Sequence, residues 1–130
     1  MKIYVKPLLT VADELKVKAA VHITGDAYLK FDNLTRFSKE IGFEFDNFNP
    51  QPIFELIQKT ALELGCVITD EEMLKTFNMG WGFAVIVDKR NTDKALDVLE
   101  KNGVKAEQIG RVTDSKGIKI LYKNREIILK

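Results

Sequence analysis

Two short stretches of the chain carry residue types that could do chemistry. In the first, Val21-His22-Ile23-Thr24-Gly25-Asp26-Ala27, an apolar run from Ala19 to Ile23 stops at a Thr-Gly pair, and a polar segment with helical spacing follows. A strand feeding a turn that opens a helix presents the turn's amides outward. The amides of Gly25 to Tyr28 would then face an anion at the favourable end of the helix dipole. His22, the only histidine, stands at the strand end, where an imidazole could act as a catalytic base near neutral pH. In the second stretch, Thr76-Phe77-Asn78-Met79-Gly80-Trp81-Gly82, a polar turn enters an apolar strand. Glycines on both sides of Trp81 suit close approach of backbone to a ligand or another chain. Asn78 offers both a donor and an acceptor there.

Each feature has a plainer structural counterpart. A lone histidine on an apolar strand is commonly a core residue donating one hydrogen bond; a place beside a glycine turn, open to a cleft, favours function. One Thr-Gly pair is not a phosphate loop. The Asp26 carboxylate could fill the anion position itself or serve as an N-cap. Asp70-Glu71-Glu72 looks like a carboxylate cluster, but Thr69 before it completes a capping box, so no metal site is assigned. Lys116, Lys119, Lys123, Arg125 and Lys130 form a basic tail, expected on the solvent face and edge of a terminal hairpin.

The elements that must position these turns follow from the apolar spacing. The chain has 130 residues, 45% hydrophobic and 30% charged, which makes one globular domain spanning residues 1–130 the expectation. A net charge of +1 gives no footprint for nucleic acid or a membrane surface, and no segment is long and apolar enough to span a bilayer. The cytoplasm is the simplest home. Cys66 is the sole cysteine, which excludes an internal disulfide and a cysteine-based zinc site; its apolar neighbours predict a buried, inert thiol.

Leu8, Val11, Ala12 and Leu15 mark a first helix, with Pro7 in its first turn and an end near Lys16. Val17 to Ile23 reads as a nearly continuous apolar strand inside a sheet. Leu34, Phe37 and Ile41 mark a weaker second helix. Gly42 to Asp46 alternates as a short strand with Phe43 and Phe45 inward. Pro52 opens a long helix whose inner face is Ile53, Ile57, Ala61 and Leu64, closed by Gly65. After the short capped helix at Thr69, Gly82 to Val87 is the most strand-like run. Asn91 or Thr92 caps a helix with Ala95, Leu96 and Leu99 inward and Gly103 as its stop. Gln108 to Thr113, Ile118 to Tyr122 and Glu126 to Leu129 read as closing strands, the last two joined by a Lys123-Asn124 turn. The fold class is α+β: a mixed, largely antiparallel sheet with helices packed on it.

Several motifs, in order, resemble one known family. They are Ile3-Tyr4-Val5-Lys6-Pro7, His22-Ile23-Thr24-Gly25, Asn33-Leu34-x-Arg36 and Pro52-Ile53-Phe54, then Glu72-Met73-x-x-Thr76-Phe77-Asn78-Met79-Gly80-x-Gly82 and Ala106-x-x-Ile109-Gly110. Roughly residues 2 to 113 are similar to the carboxy-terminal domain of the phosphoribosylaminoimidazole synthetase (phosphoribosylformylglycinamidine cyclo-ligase) family of purine synthesis. The family usually has Thr-Gly-Gly-Gly where this chain has Thr24-Gly25-Asp26-Ala27, Asn-Leu-Pro-Arg where it has Asn33-Leu34-Thr35-Arg36, and a smaller residue at Trp81.

The resemblance implies an ATP- and magnesium-dependent ring closure of formylglycinamidine ribonucleotide. ATP and Mg2+ would be held mainly by an amino-terminal domain, joined covalently or present as a separate chain, in an enzyme that is a homodimer. It also implies that Thr24, Gly25 and Asp26 hold the ribonucleotide phosphate or the developing anion. His22 would orient or relay a proton, and Asn78 with the Gly80 amide would line the opposite wall. On the same footing the chain is the second half of something longer and by itself hydrolyses no ATP. Two other possibilities stand beside it: a related enzyme of the selenophosphate synthetase or thiamine-phosphate kinase type, and a non-catalytic module that binds a small anion or a partner.

Overall fold

The structure is a computed structural model describing residues 4–36 and 40–129. In chain order the elements are α1 (Val5–Glu14), β1 (Val17–His22), a 3-10 helix (Ala27–Arg36), β2 (Gly42–Phe45), α2 (Pro52–Glu63), α3 (Asp70–Thr76), β3 (Phe83–Val87), a 3-10 turn (Lys89–Asn91), α4 (Thr92–Lys101), β4 (Arg111–Thr113), β5 (Gly117–Tyr122) and β6 (Arg125–Leu129). They fall into two compact units, residues 4–22 with 83–108, and residues 23–82 with 109–129. Among the described residues no helix is long and apolar enough to cross a membrane.

In the first unit β1 pairs antiparallel with β3, His22 opposite Phe83, with a shift in register between Val17 and Ala19. The expectation of a strand interior to a larger sheet is corrected: these two strands make a two-stranded ribbon. Exposure alternates along β1, so only one of its faces is covered. Val11 of α1 and Leu15 at its C-cap pack on Ala95, Val98 and Leu99 of α4, with Val17, Val85, Val87 and Ala106 around them. Each such aliphatic side chain, fully buried, contributes roughly 1.5–3 kcal/mol. The inward face of α4 is therefore Ala95, Val98 and Leu99, with Leu96 half-buried beside it.

The second unit is built on a four-stranded sheet of order β4-β2-β5-β6. β2 runs parallel to β5 and antiparallel to β4, and β5 and β6 form the closing hairpin. Lys123 and Asn124, at φ 53 and 61, make the tight turn that joins them. Phe43, Phe45, Ile118, Ile120, Tyr122 and Leu129 are buried. Tyr28 and Phe31 of the 3-10 helix are buried with them, and the Phe31 and Phe45 rings meet edge-on at 5.0 Å and 73°.

That helix starts earlier than its expected face of Leu34, Phe37 and Ile41. Tyr28, Phe31 and Leu34 recur every three residues, which is the 3-10 repeat and is invisible to a search at 3.6. Ile41 precedes β2 rather than ending a helix; Phe37, Ile3 and Lys130 lie outside the described residues.

Gly110 shows what one family motif does for the fold. A Cβ there would stand 2.2 Å from the Glu44 carbonyl oxygen, so β2 and the approach to β4 can cross only at glycine.

α2 departs most from expectation. It ends on a Schellman cap, with Gly65 at φ +86 and the Cys66 amide donating to the Ala61 carbonyl at 2.8 Å. No residue within it is fully buried. Phe54 meets the Phe77 ring at 6.1 Å, and Gln58 Nε2 donates to the Ile68 carbonyl and to Asp70 Oδ1. The inner face is thus Phe54, Ile57, Gln58 and Ala61, whereas Ile53 and Leu64, expected inward, are exposed. Cys66 is exposed as well, which corrects the expected buried thiol: it follows the cap, on the solvent side of the helix end.

Candidate functional site

Both turns singled out by their chemistry lie in the second unit and are tied together there. Ile23 N–H donates to the Gly82 carbonyl at 2.9 Å, which joins the entry of one turn to the exit of the other. Tyr28 Oη donates to the Asn78 carbonyl at 2.7 Å, a bond that crosses from the 3-10 helix to the second turn. Tyr28 is fully buried, and burial pushes its phenol pKa well above the ordinary value. Its hydroxyl therefore remains a donor at every working pH.

In the first turn Thr24, Gly25 and Asp26 are exposed. The Ala27 amide donates back to the Thr24 carbonyl at 2.6 Å, so the expected row of outward amides from Gly25 to Tyr28 is interrupted at Ala27. Lys30 Nζ rests on Thr24 Oγ1 and brings a positive charge to the turn, opposite in sign to Asp26. A Cβ on Gly25 would touch nothing within 4 Å, and its backbone is not left-handed. Nothing in the fold requires glycine there, whereas a ligand lying against the backbone would. Ala27, by contrast, is buried at φ 47, a conformation costing about 1–2 kcal/mol with a side chain. It stands where the resembled family usually has the last glycine of Thr-Gly-Gly-Gly.

The second turn is built around Asn78. Its Oδ1 accepts from Gly80 N–H at 3.0 Å, closing an Asx turn, and its carbonyl accepts from Trp81 N–H at 3.2 Å in addition to the tyrosine. The Gly80 amide is therefore committed to the turn rather than presented outward. The donor that the turn does not use is Asn78 Nδ2. Met79 is buried at φ 57 and Gly80 follows at φ +104, so this turn also holds a side chain in the left-handed region. Strain of this kind, of order 1–3 kcal/mol, persists where surroundings over-determine it and concentrates at functional turns. The Trp81 ring lies 4.8 Å from Phe48, continuing the aromatic core up to the turn.

His22 belongs to the first unit. It is exposed, stacked on Phe83 at 5.4 Å with Tyr4 edge-on at 6.3 Å, so it is not a core histidine. Two concavities of about 320 Å3 and 210 Å3 lie elsewhere in the second unit, along Asp32 and Gly117. They are lined by Leu29, Ile118 and Leu129 in one case and by Thr35, Ile41 and Lys116 in the other, and neither touches Thr24, Gly25, Asn78 or Gly80.

Below the second turn the capping box of α3 is complete: Thr69 Oγ1 accepts from Glu72 N–H, and Glu72 reaches back to the Thr69 amide. Asp70, with only 10% of its side chain exposed, does more than favour the helix dipole. Burial alone would raise its pKa. Hydrogen bonds from Gln58 and Lys123, the Lys123 charge and a bond from Arg125 outweigh it and hold the carboxyl below its usual range. Lys123 and Arg125 are thus not only a solvated edge; they clamp the closing hairpin to α3. Sequence reasoning missed Tyr28, Lys30 and this clamp. Tyr28 and Lys30 stand four and six residues after Thr24, a spacing that carries no motif by itself.

Comparison with known proteins agrees with this architecture. Over residues 1–123 the chain matches the family described as AIR synthase related protein, C-terminal domain. Among curated relatives, the phosphoribosylformylglycinamidine cyclo-ligase of Methanocaldococcus jannaschii is 41% identical, across 98% of this chain and 38% of that protein. The enzyme of the same name from Methanococcus maripaludis strain C5 is 39% identical, across 98% of this chain and 37% of that protein. The chain therefore spans less than two-fifths of the length of these relatives. The crystal structure of Escherichia coli HypE, a hydrogenase maturation protein, superposes with a TM-score of 0.69 at 19% identity, covering 99% of this chain and 40% of that one, which shows the fold. The chain belongs to the AIR-synthase-related family, as its carboxy-terminal domain.

Proposed function

We propose that the chain is the carboxy-terminal part of a cytoplasmic, ATP-dependent cyclo-ligase that converts formylglycinamidine ribonucleotide to aminoimidazole ribonucleotide. The two turns of its second unit hold the phosphorylated substrate. The observation that carries this reading is the Tyr28–Asn78 bond, which sets the two turns side by side on one buried anchor.

Thr24 Oγ1, the open backbone at Gly25 and the Lys30 ammonium form the anion-holding side, and Lys30 offsets the Asp26 carboxylate. Asn78 Nδ2 faces the substrate as a neutral donor, while Gly80 acts through the turn it closes. His22 is the proton-transfer candidate by residue type. ATP, when bound, supplies the phosphoryl group that turns the substrate's amide oxygen into a leaving group; the amidine nitrogen then attacks that carbon, and phosphate departs as the ring closes. Positioning and charge stabilisation are what a protein contributes to such a step. Among the described residues no three His, Cys, Asp or Glu side chains converge. On this reading nucleotide and metal belong to the amino-terminal portion, the active enzyme is a homodimer, and the chain alone turns over no substrate.

Two substitutions in the assembled enzyme test the assignment. Gly25→Ala adds a methyl to empty space, so it should fold as well as the parent yet raise KM for the ribonucleotide about 10-fold, as lost backbone contacts do. Asn78→Asp keeps the Oδ1 acceptor that closes the turn but replaces the free donor by a charge facing an anion, and should raise KM by at least as much. If both variants kept parental KM and kcat, the turns would not be the substrate site.

A further inference from the structure

We infer that the outward stripe of α2 is the surface that receives the amino-terminal portion of the enzyme, an inference that rests on the two-part enzyme proposed above. Ile53, Leu56, Thr60 and Leu64 follow one another at steps of three, four and four, the spacing of a helical seam. Their apolar members face away from the body of the unit. Ile53 is 52% exposed, Leu56 56% and Leu64 82%, and Val67, just beyond the cap, is 71% exposed. Exposed apolar side chains grouped in this way mark interaction surfaces, whereas single scattered ones do not.

The helix does not need this stripe to stay in place. Its other face is held by Phe54 against Phe77 and by Gln58 on Ile68 and Asp70. Glu55, Lys59 and Glu63 flank the stripe on one side, giving an apolar strip with a charged border, the composition of an interface rather than of a core face left open. The occupant is set by length. This chain accounts for 38% of its Methanocaldococcus jannaschii relative, so the occupant inferred is the remaining majority of such an enzyme. Of the ten large apolar side chains exposed among the described residues, five lie in this segment, Ile53, Leu56 and Leu62 on α2, Leu64 at its cap and Val67 beyond it.

The chain carries its own reporter. Cys66 is the only cysteine, is exposed, and sits between Leu64 and Val67. Its reaction rate with a maleimide would be measured for the chain alone over a concentration series, then with saturating amino-terminal portion of the Methanocaldococcus jannaschii cyclo-ligase. The expected result is fast, concentration-independent labelling alone and labelling slowed roughly 10-fold or more in the complex, as covered sites lose access. A Leu56→Glu, Leu64→Glu double variant should keep the parental stability, as exposed substitutions do, and bind the amino-terminal portion about 30-fold more weakly.

Slow labelling of the chain alone would mean that the chain itself covers the stripe. Slowing with the chain's own concentration would mean that a second copy does. Either result, no complex, no protection within a complex, or undiminished binding by the charged variant overturns the inference. None of these measurements involves ribonucleotide or turnover, so the failure of the two turns as a substrate site would show separately, in KM.

Discussion

Replacing Tyr28 by phenylalanine removes one oxygen and nothing else from the joint between the two turns. The ring keeps its neighbours: Phe31 stacked at 6.1 Å, and Phe45 and Phe48 edge-on at 5.5 and 5.2 Å. No cavity larger than a hydroxyl forms. The Asn78 carbonyl keeps Trp81 N–H as a partner, so it is not stranded without a donor. The loss is then that of one part-buried neutral hydrogen bond, about 1 kcal/mol, rather than the 3–5 kcal/mol of truncating a buried aromatic. For a chain of this size that lowers Tm by about 3–5 °C.

The more telling effect is local. Amides of residues 78–82 should exchange with solvent about 5-fold faster, the equivalent of 1 kcal/mol, while amides of β2 and β5 change only with the global stability. In the assembled enzyme the variant should raise KM for the ribonucleotide, although Tyr28 is buried and does not itself reach the substrate. An unchanged Tm with unchanged exchange at 78–82 would refute the claim that this hydroxyl ties the turns together. Faster exchange spread evenly over the molecule would do the same, because it would assign the bond to general stability.

Two further outcomes follow from the second unit. Gly110→Ala drives a methyl to within 2.2 Å of the Glu44 carbonyl oxygen, both atoms fixed by the sheet, and should cost about 3 kcal/mol in chemical denaturation. Gly103→Ala, where nothing lies within 4 Å and only φ +78 opposes a side chain, should cost about 1 kcal/mol, and the reverse order would refute the steric account. Asp70→Asn should lose about 1–2 kcal/mol at pH 7, since the carboxylate accepts from Gln58, Lys123 and Arg125, the two cations being 38% and 65% exposed. Because the native pKa of Asp70 is depressed, its contribution is full above the ordinary carboxylate range and vanishes as pH falls through the native value. Parent and variant should therefore converge in stability in acid, and a difference that persisted there would exclude the charge as its source.

Most of the fold was legible because its signals are local and chemical. Thr69 with Glu72 makes a capping box wherever it occurs, and Lys123-Asn124 between two alternating runs makes a hairpin turn. What sequence could not show depends on how an element is rolled and on what lies across from it. The apolar residues of α2 occupy more than half of its circumference, so periodicity alone cannot say which half turns inward; Phe54 and Gln58 decided it by finding Phe77 and Asp70, and Ile53 and Leu64 were left outside. The 3-10 helix escaped for a different reason, its three-residue repeat of Tyr28, Phe31 and Leu34 being out of phase with the 3.6-residue period sought.

The candidate site sits between these cases. Residue types located both turns, yet the features that argue for function are conformational. Ala27 and Met79 are ordinary apolar residues held at φ 47 and 57, one at each turn, and the open Gly25 has no steric need to be glycine. A fold under selection for stability alone would put glycine where the backbone is left-handed and a side chain where it is not. Gly65, Gly80, Gly103 and Gly117 follow that rule, and Ala27, Met79 and Gly25 depart from it. Substituting Ala27→Gly removes about 1–2 kcal/mol of strain but gives back a similar amount in chain entropy and lost methyl packing, so its stability should be near neutral. At Gly25 no such offset exists. No contact or backbone angle within the chain requires a glycine there, and that is why Gly25, rather than the more eye-catching His22, is the position at which the proposed substrate assignment is most exposed to refutation.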